Sequence, residues 1–139
     1  MVISRLTSLP PALIHGEAYA SNILVDPDDI SLDDGGARVC PVDWEMAALG
    51  PGLVDLAALT SGDWSAEDTA TIVDAYREVS PPGVPADDDE FEFALTCARL
   101  HLAVQWLGWS PHWVPPLEHV QDSRGESMTL GEELRATAR

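Results

Sequence analysis

Apolar residues at Ile3, Leu6 and Leu9 recur at helical spacing until Pro10-Pro11 stops them. The segment reads as the last turns of a helix, the tail of a longer element. Ile23-Leu24-Val25 is a compact apolar run, and Arg38-Val39-Cys40-Pro41-Val42 is a second. Asp33-Asp34-Gly35-Gly36 between them is a turn, with glycines able to take positive φ. The spacing predicts a β-hairpin. From Gly52 the pattern turns helical. Gly50-Pro51-Gly52 leads into Leu53 to Leu59. Ser65 opens a clean helix, with Glu67 and Asp68 in its first turn opposing the macrodipole. Its Ile72, Val73, Tyr76 and Val79 share one face, and Ser80-Pro81-Pro82-Gly83 ends it.

The longest helix is predicted from about Asp88 to Trp109. Glu92, Thr96 and Arg99 form one polar stripe on it. His101, Gln105 and Gly108 form a second, roughly opposite at ~100° per residue. One stripe facing solvent and one lining a cleft would explain the pattern. So would two edges that are solvated or satisfied inside a core. Trp109 to Gln121 then reads as a proline-stiffened aromatic connection. Thr129 with Glu132 resembles a capping box for a terminal helix.

Charge narrows the chemistry. Of 139 residues, 24 are acidic and seven basic, all seven are arginine, and the net charge is −17. Such a chain is repelled by nucleic acid and anionic membrane, which need clustered cations. Without lysine there is no Walker lysine and no Schiff base. The 45% hydrophobic content is ordinary for a globular domain, so acidity does not imply disorder. No run approaches the ~18 apolar residues of a membrane span, and no signal h-region precedes a cleavage site. Cys40 and Cys97 lie in apolar surroundings. Buried free thiols in a reducing cytoplasm are the expectation, with a disulfide as the alternative. The tryptophans at 64, 106, 109 and 113 are expected in core and pocket wall.

Several sites are excluded by spacing. Counted from Asp26, an EF-hand loop would need acid where Ile30 stands and glycine where Ser31 stands. His112 and His119 lack zinc spacing with the cysteines. There is no G-x-S-x-G elbow and no G-x-G-x-x-G after a strand.

Functional residue types concentrate between Leu13 and Leu59. His15-Gly16-Glu17 is followed by Asn22 and the first strand, and the second strand ends in Val42-Asp43-Trp44-Glu45. A hairpin would bring Glu17, Asn22 and Asp43 to one end. Carboxylate and amide oxygens are hard ligands suited to Mg²⁺, so Asn22 and Asp43 make a two-point clamp with positions open for phosphates. Glu17, beside them, could accept a proton from a hydroxyl.

These residues resemble the phosphotransferase family of aminoglycoside phosphotransferases and choline kinases, relatives of the protein kinases. His15 to Leu24, HGEAYASNIL, is similar to the family's catalytic loop H-G-D-x-x-x-x-N-[IVL]-L. Val42-Asp43-Trp44-Glu45 resembles its metal motif I-D-W-E. Gly50-Pro51 with Asp55-Leu56-Ala57 resembles G-P-x-x-x-D-L-A. The resemblance implies ATP and Mg²⁺ as cofactors and a small-molecule hydroxyl as acceptor. It implies Glu17 as base, Asn22 and Asp43 as Mg²⁺ ligands, and His15, Glu45 and Asp55 as structural support. Glu17 stands where the family usually has aspartate, one methylene shorter.

The fold class expected is mostly α with a small β-hairpin (α+β), the C-terminal lobe of a kinase-like fold with the N-lobe absent. Residues 1–12 would be the end of a truncated helix, 13–45 the catalytic loop and metal-binding hairpin, and 52–139 a helical subdomain. The acceptor is expected between the hairpin end and the long helix, near His101 and Gln105. A separate N-terminal lobe is the expected partner. The acidity suits a cationic acceptor, and a generally acidic proteome would give the same balance. A non-catalytic binding module and a degenerate remnant are the rival readings.

Overall fold

The computed structural model describes residues 1–26 and 37–109. The 33–36 turn, the 110–121 connection with His112, and the Thr129–Glu132 capping box lie outside these residues. So does His119.

The first helix, α1 (Val2–Thr7), ends as Pro10 approaches. Leu6 and Leu9 are buried, but Ile3 is 62% exposed, so only part of the expected apolar stripe faces the core. Strand β1 (Pro11–Ile14) follows, then a loop with one short 3₁₀ turn over Ala20–Asn22. β2 (Ile23–Asp26) pairs antiparallel with β3 (Arg38–Pro41), Ile23 opposite Pro41 and Val25 opposite Val39. This is the predicted hairpin. Val42 lies just past the strand but still donates to the Asn22 carbonyl at 2.9 Å.

A second ribbon was not predicted. β1 pairs antiparallel with β4 (Ala48–Pro51), in register from Pro11–Pro51 to Ile14–Ala48. Prolines and Gly50 made both segments read as breakers. In a two-stranded ribbon every strand is an edge, so proline is tolerated at its end. A Cβ at Gly50 would lie 2.8 Å from Ile14 Cδ1, and the tip of that side chain would have to turn aside.

The helices supply the core. α2 (Leu53–Leu59) buries Leu53, Val54, Leu56, Ala57 and Ala58. α4 (Asp88–Trp109) buries Phe91, Ala94, Leu95, Ala98 and Leu102, a stripe at i, i+3, i+4, i+7 and i+11, with Cys97 and Ala103 beside it. α2 packs on α4, and both helices bury small residues, Ala57 and Ala58 on one and Ala94 and Ala98 on the other. α1 also packs on α4, and Arg5 reaches across to the Glu90 carbonyl at 3.2 Å.

α3 (Ala66–Val79) starts as predicted. Ser65 caps it, its hydroxyl accepting the Asp68 N–H at 3.0 Å. Ile72, Val73 and Tyr76 rest against the core, while Val79 in the last turn is 80% exposed, against expectation. Helix α3 covers the margin of the core and buries no residue fully.

Two other burial expectations are corrected. Cys40 is exposed on β3, whose four residues all face solvent in part, while Cys97 is fully buried; both thiols are free. Trp64 is 39% exposed, its indole spent on the Leu59 carbonyl at 2.7 Å at the end of α2. The architecture is α+β: mainly helical, with two two-stranded antiparallel sheets. Among the described residues no helix is long and apolar enough to cross a membrane.

Candidate functional site

The two ribbons are joined by two short connections, residues 15–22 and 42–47, and these press together. Gly16 is the point of contact. Its φ is +85°, and a Cβ would collide with the Met46 carbonyl. Both the backbone angle and the close approach therefore require glycine at the second position of His-Gly-Glu.

His15 ties the connections together. It is 5% exposed, and its Nδ1 accepts the Glu17 N–H at 3.3 Å. That leaves the proton on Nε2, which donates to the Val42 carbonyl at 2.8 Å. The imidazole also packs on the Trp44 indole, ring centres 4.5 Å apart. One imidazole thus fixes Glu17 on one side and the backbone leading into Asp43 on the other.

Asp55, in the first turn of α2, grips the loop from below. Oδ2 accepts the His15 N–H at 2.7 Å and Oδ1 accepts the Gly16 N–H at 2.9 Å. Both carboxylate oxygens are used on backbone donors that the loop could not satisfy within itself.

Asn22 and Asp43 stand at the ends of the two hairpin strands. The Asn22 amide nitrogen donates to the Glu17 carbonyl at 3.0 Å. The amide orientation is thereby set, and Oδ1 is the atom left to accept a cation or donor. Asp43 has φ +66°, the left-handed conformation, and is the sole non-glycine with positive φ among the described residues. Aspartate tolerates this region better than most residues, at roughly 1–2 kcal/mol. Its side chain does not cap the following Trp44–Met46 turn.

Glu17 sits among other carboxylates. Partial burial pushes its carboxyl above the ordinary range, and the charges of Asp43 and Glu45 push it further, against a smaller opposing effect of His15. The charges of Asp43 and Glu45 thus reach Glu17. Glu45 itself is exposed.

Beyond Glu17, toward α4, lies a cavity of about 10 Å³ lined by Gly16, Glu17, Tyr19, Gln105 and Trp106. It has room for about one water-sized group. Gln105 therefore meets the loop, while His101, one turn earlier and partly buried, does not line the cavity. The opposite stripe is mixed: Glu92 and Arg99 pair at 2.9 Å, and Thr96 between them is buried. A larger open concavity of about 360 Å³, near Arg77, Ser80 and the 81–86 turn, contains none of these residues. Its arginine is committed to Asp88 at 2.7 Å.

Tyr19 and Trp106 were not singled out from sequence as a pair. The indole N–H of Trp106 donates to the Tyr19 hydroxyl, with the rings edge-to-face at 5.9 Å. A contact spanning 87 positions leaves no periodicity to read.

Among the described residues no group of three or more His, Cys, Asp or Glu side chains is assembled for a metal. Asn22 with Asp43 is a two-ligand set of hard oxygens, the kind that suits a Mg²⁺ ion completing its shell with water and phosphate oxygens. The family model of the phosphotransferase enzyme family matches residues 3–90, from α1 through the first residues of α4. No curated protein and no solved structure matches the chain.

Proposed function

Because the chain belongs to the phosphotransferase enzyme family, within the protein kinase-like superfamily, we propose that it carries the catalytic-loop half of an ATP-dependent phosphoryl transfer to a small-molecule hydroxyl. The observation that carries this reading is the convergence of three groups. Glu17 and Asn22 from the 15–22 connection and Asp43 from the 42–47 connection are held together by the Asn22–Glu17 bond, the Val42–Asn22 bond and the His15 bridge.

In this reading Glu17 accepts the proton of the acceptor hydroxyl at its carboxylate. A base works best when its pKa lies near the operating pH, and the upward shift of Glu17 moves it in that direction. Asn22 and Asp43 would hold Mg²⁺, which when bound neutralises charge on the ATP phosphates. His15 and Asp55 keep the loop in place through the bonds described above. Glu45 adds negative charge to the site. Gln105 provides a polar edge where the hydroxyl enters, with His101 farther along the same face of α4. The fold assignment that goes with this is the C-terminal lobe of a kinase-like enzyme.

ATP phosphates also need a cation from the protein. The chain has no lysine, and three of its seven arginines, Arg5, Arg77 and Arg99, are engaged with Glu90, Asp88 and Glu92. The reading therefore takes that cation from a lysine-bearing lobe outside these 139 residues, and expects the chain alone to turn over slowly or not at all. The net charge of −17 favours a cationic acceptor.

The test uses Mn²⁺-ATP as a paramagnetic probe on the full chain. Broadening of the Asn22 and Asp43 resonances, lost in Asp43→Asn, is the expected result. With a lysine-bearing lobe supplied, ADP release in the presence of a panel of small alcohols and aminosugars should appear and vanish in Glu17→Gln. Broadening that ignores Asp43→Asn would overturn the metal assignment. Turnover that survives Glu17→Gln would overturn the base.

A further inference from the structure

The catalytic loop is anchored on two sides by bonds to backbone: Asp55 of α2 beneath it, and Val42 beside it through His15. Its third side faces α4, and a side-chain bond reaches across, from the Trp106 indole to the Tyr19 hydroxyl. Within the loop, Tyr19 sits between the two groups that matter. Its N–H donates to the Glu17 carbonyl at 2.8 Å, and its carbonyl accepts the Asn22 N–H at 2.8 Å. The Asn22 side chain closes the triangle on the same Glu17 carbonyl. A displacement of Tyr19 therefore moves the carboxylate and the amide together.

We infer that Tyr19 is a positioning residue, latched by Trp106, that sets Glu17 and Asn22 against the α4 wall of the acceptor cavity. The inference rests on the reading of Glu17 and Asn22 given above, and it adds residues that reading does not use. Trp106 and Gln105 lie beyond the segment matched to the family, so the α4 half of the latch belongs to the part of the chain that the match does not cover, while Tyr19 lies within it. The cavity supports it. Tyr19, Trp106 and Gln105 wall the same ≈10 Å³ space as Glu17. While the latch is closed, a single hydroxyl-sized group fits there. The Tyr19 ring is packed against the core, so the hydroxyl can be removed without removing the ring.

The experiment is amide hydrogen exchange, read by NMR on the full chain without nucleotide, for wild type, Tyr19→Phe, Trp106→Phe and the double variant. The reporters are the amides of Tyr19 and Asn22. The reference amides are Thr60, bonded to Leu56 at 2.9 Å, and those of Leu95 and Ala98 in the core of α4. Each single variant should speed exchange of the reporters at least tenfold and leave the references within about twofold. The double variant should add nothing to either single one. Reporters that stay protected, or reporters and references that accelerate equally, would overturn the latch, since the second pattern is mere loss of stability. Nothing in this readout depends on ATP. If the reporters respond and Mn²⁺-ATP, with a lysine-bearing lobe supplied, still fails to find Asn22 and Asp43, the phosphotransfer reading fails and the latch stands. If Mn²⁺-ATP binds there and the reporters do not respond, the reverse holds.

Discussion

Replacing Asp55 with alanine tests whether the loop is held from α2. Its two oxygens accept backbone N–H groups of His15 and Gly16 at 2.7 and 2.9 Å. Bonds to a charged acceptor contribute ~1.5–3 kcal/mol each. Asp55 is half-buried, so the lower end applies, and two such bonds give about 3 kcal/mol for Asp55→Ala. Asp55→Asn keeps one acceptor and turns an N–H₂ toward the other donor, so it should lose at least half of that. For a chain of this size 3 kcal/mol corresponds to a fall in Tm of about 10 °C. A first-turn acid also favours the α2 dipole by ~0.3–1 kcal/mol. Glu67→Ala, in the first turn of α3 and without a link to the loop, measures that part alone. Urea unfolding gives the stabilities, and hydrogen exchange of the His15 and Gly16 amides gives the location. A loss under about 0.5 kcal/mol, or amides as protected as in wild type, would refute the clamp.

Two further outcomes follow from the site and the core. Because folding raises the Glu17 pKa, the folded state binds more protons than the unfolded one in the interval above the ordinary carboxylate value. Stability is then present below that value and lost as pH rises through the interval, so Glu17→Gln should melt higher than wild type at pH 7 and equal to it below roughly pH 4; the same difference at both pH values would contradict the burial and charge argument. Cys40 is exposed, while Cys97 is buried with its thiol pushed up by desolvation. A colorimetric disulfide reagent should therefore titrate one thiol quickly in the folded chain and the second only on unfolding. Two fast thiols would mean that α4 does not seal its inner face.

The parts of the fold legible in the sequence are those with local causes. Ser65 with Asp68 three residues on marks a helix start, and the structure has the cap there. The β2–β3 pairing is visible as two apolar runs separated by a turn signal. The stripe of α4 is visible as helical spacing. What escaped depends on partners far away. Pro11 and Pro51 pair across a ribbon 40 residues apart, and taken singly each looks like a break. Ile3 and Val79 have apolar spacing but end up exposed, because periodicity names a face and not its extent. The motif residues of the site are recognisable as a pattern. The reason for Gly16 is not, since it lies in the Met46 carbonyl across the fold. Tyr19 is an unremarked letter of the loop until Trp106 is found against it.

The packing of α1 on α4 has a consequence for the order of assembly. Leu6 and Leu9 complete a core whose other wall is Phe91 to Leu102. Helix α1 is thus translated before the wall it packs on and cannot seat until that wall is made. At ~5–20 residues per second, the ribosome needs on the order of 5–20 s to reach the end of α4 after α1 is made. Throughout that interval the apolar sides of α1 and α2 lack the cover of the long helix, and the nascent chain must be kept from other nascent chains until it arrives.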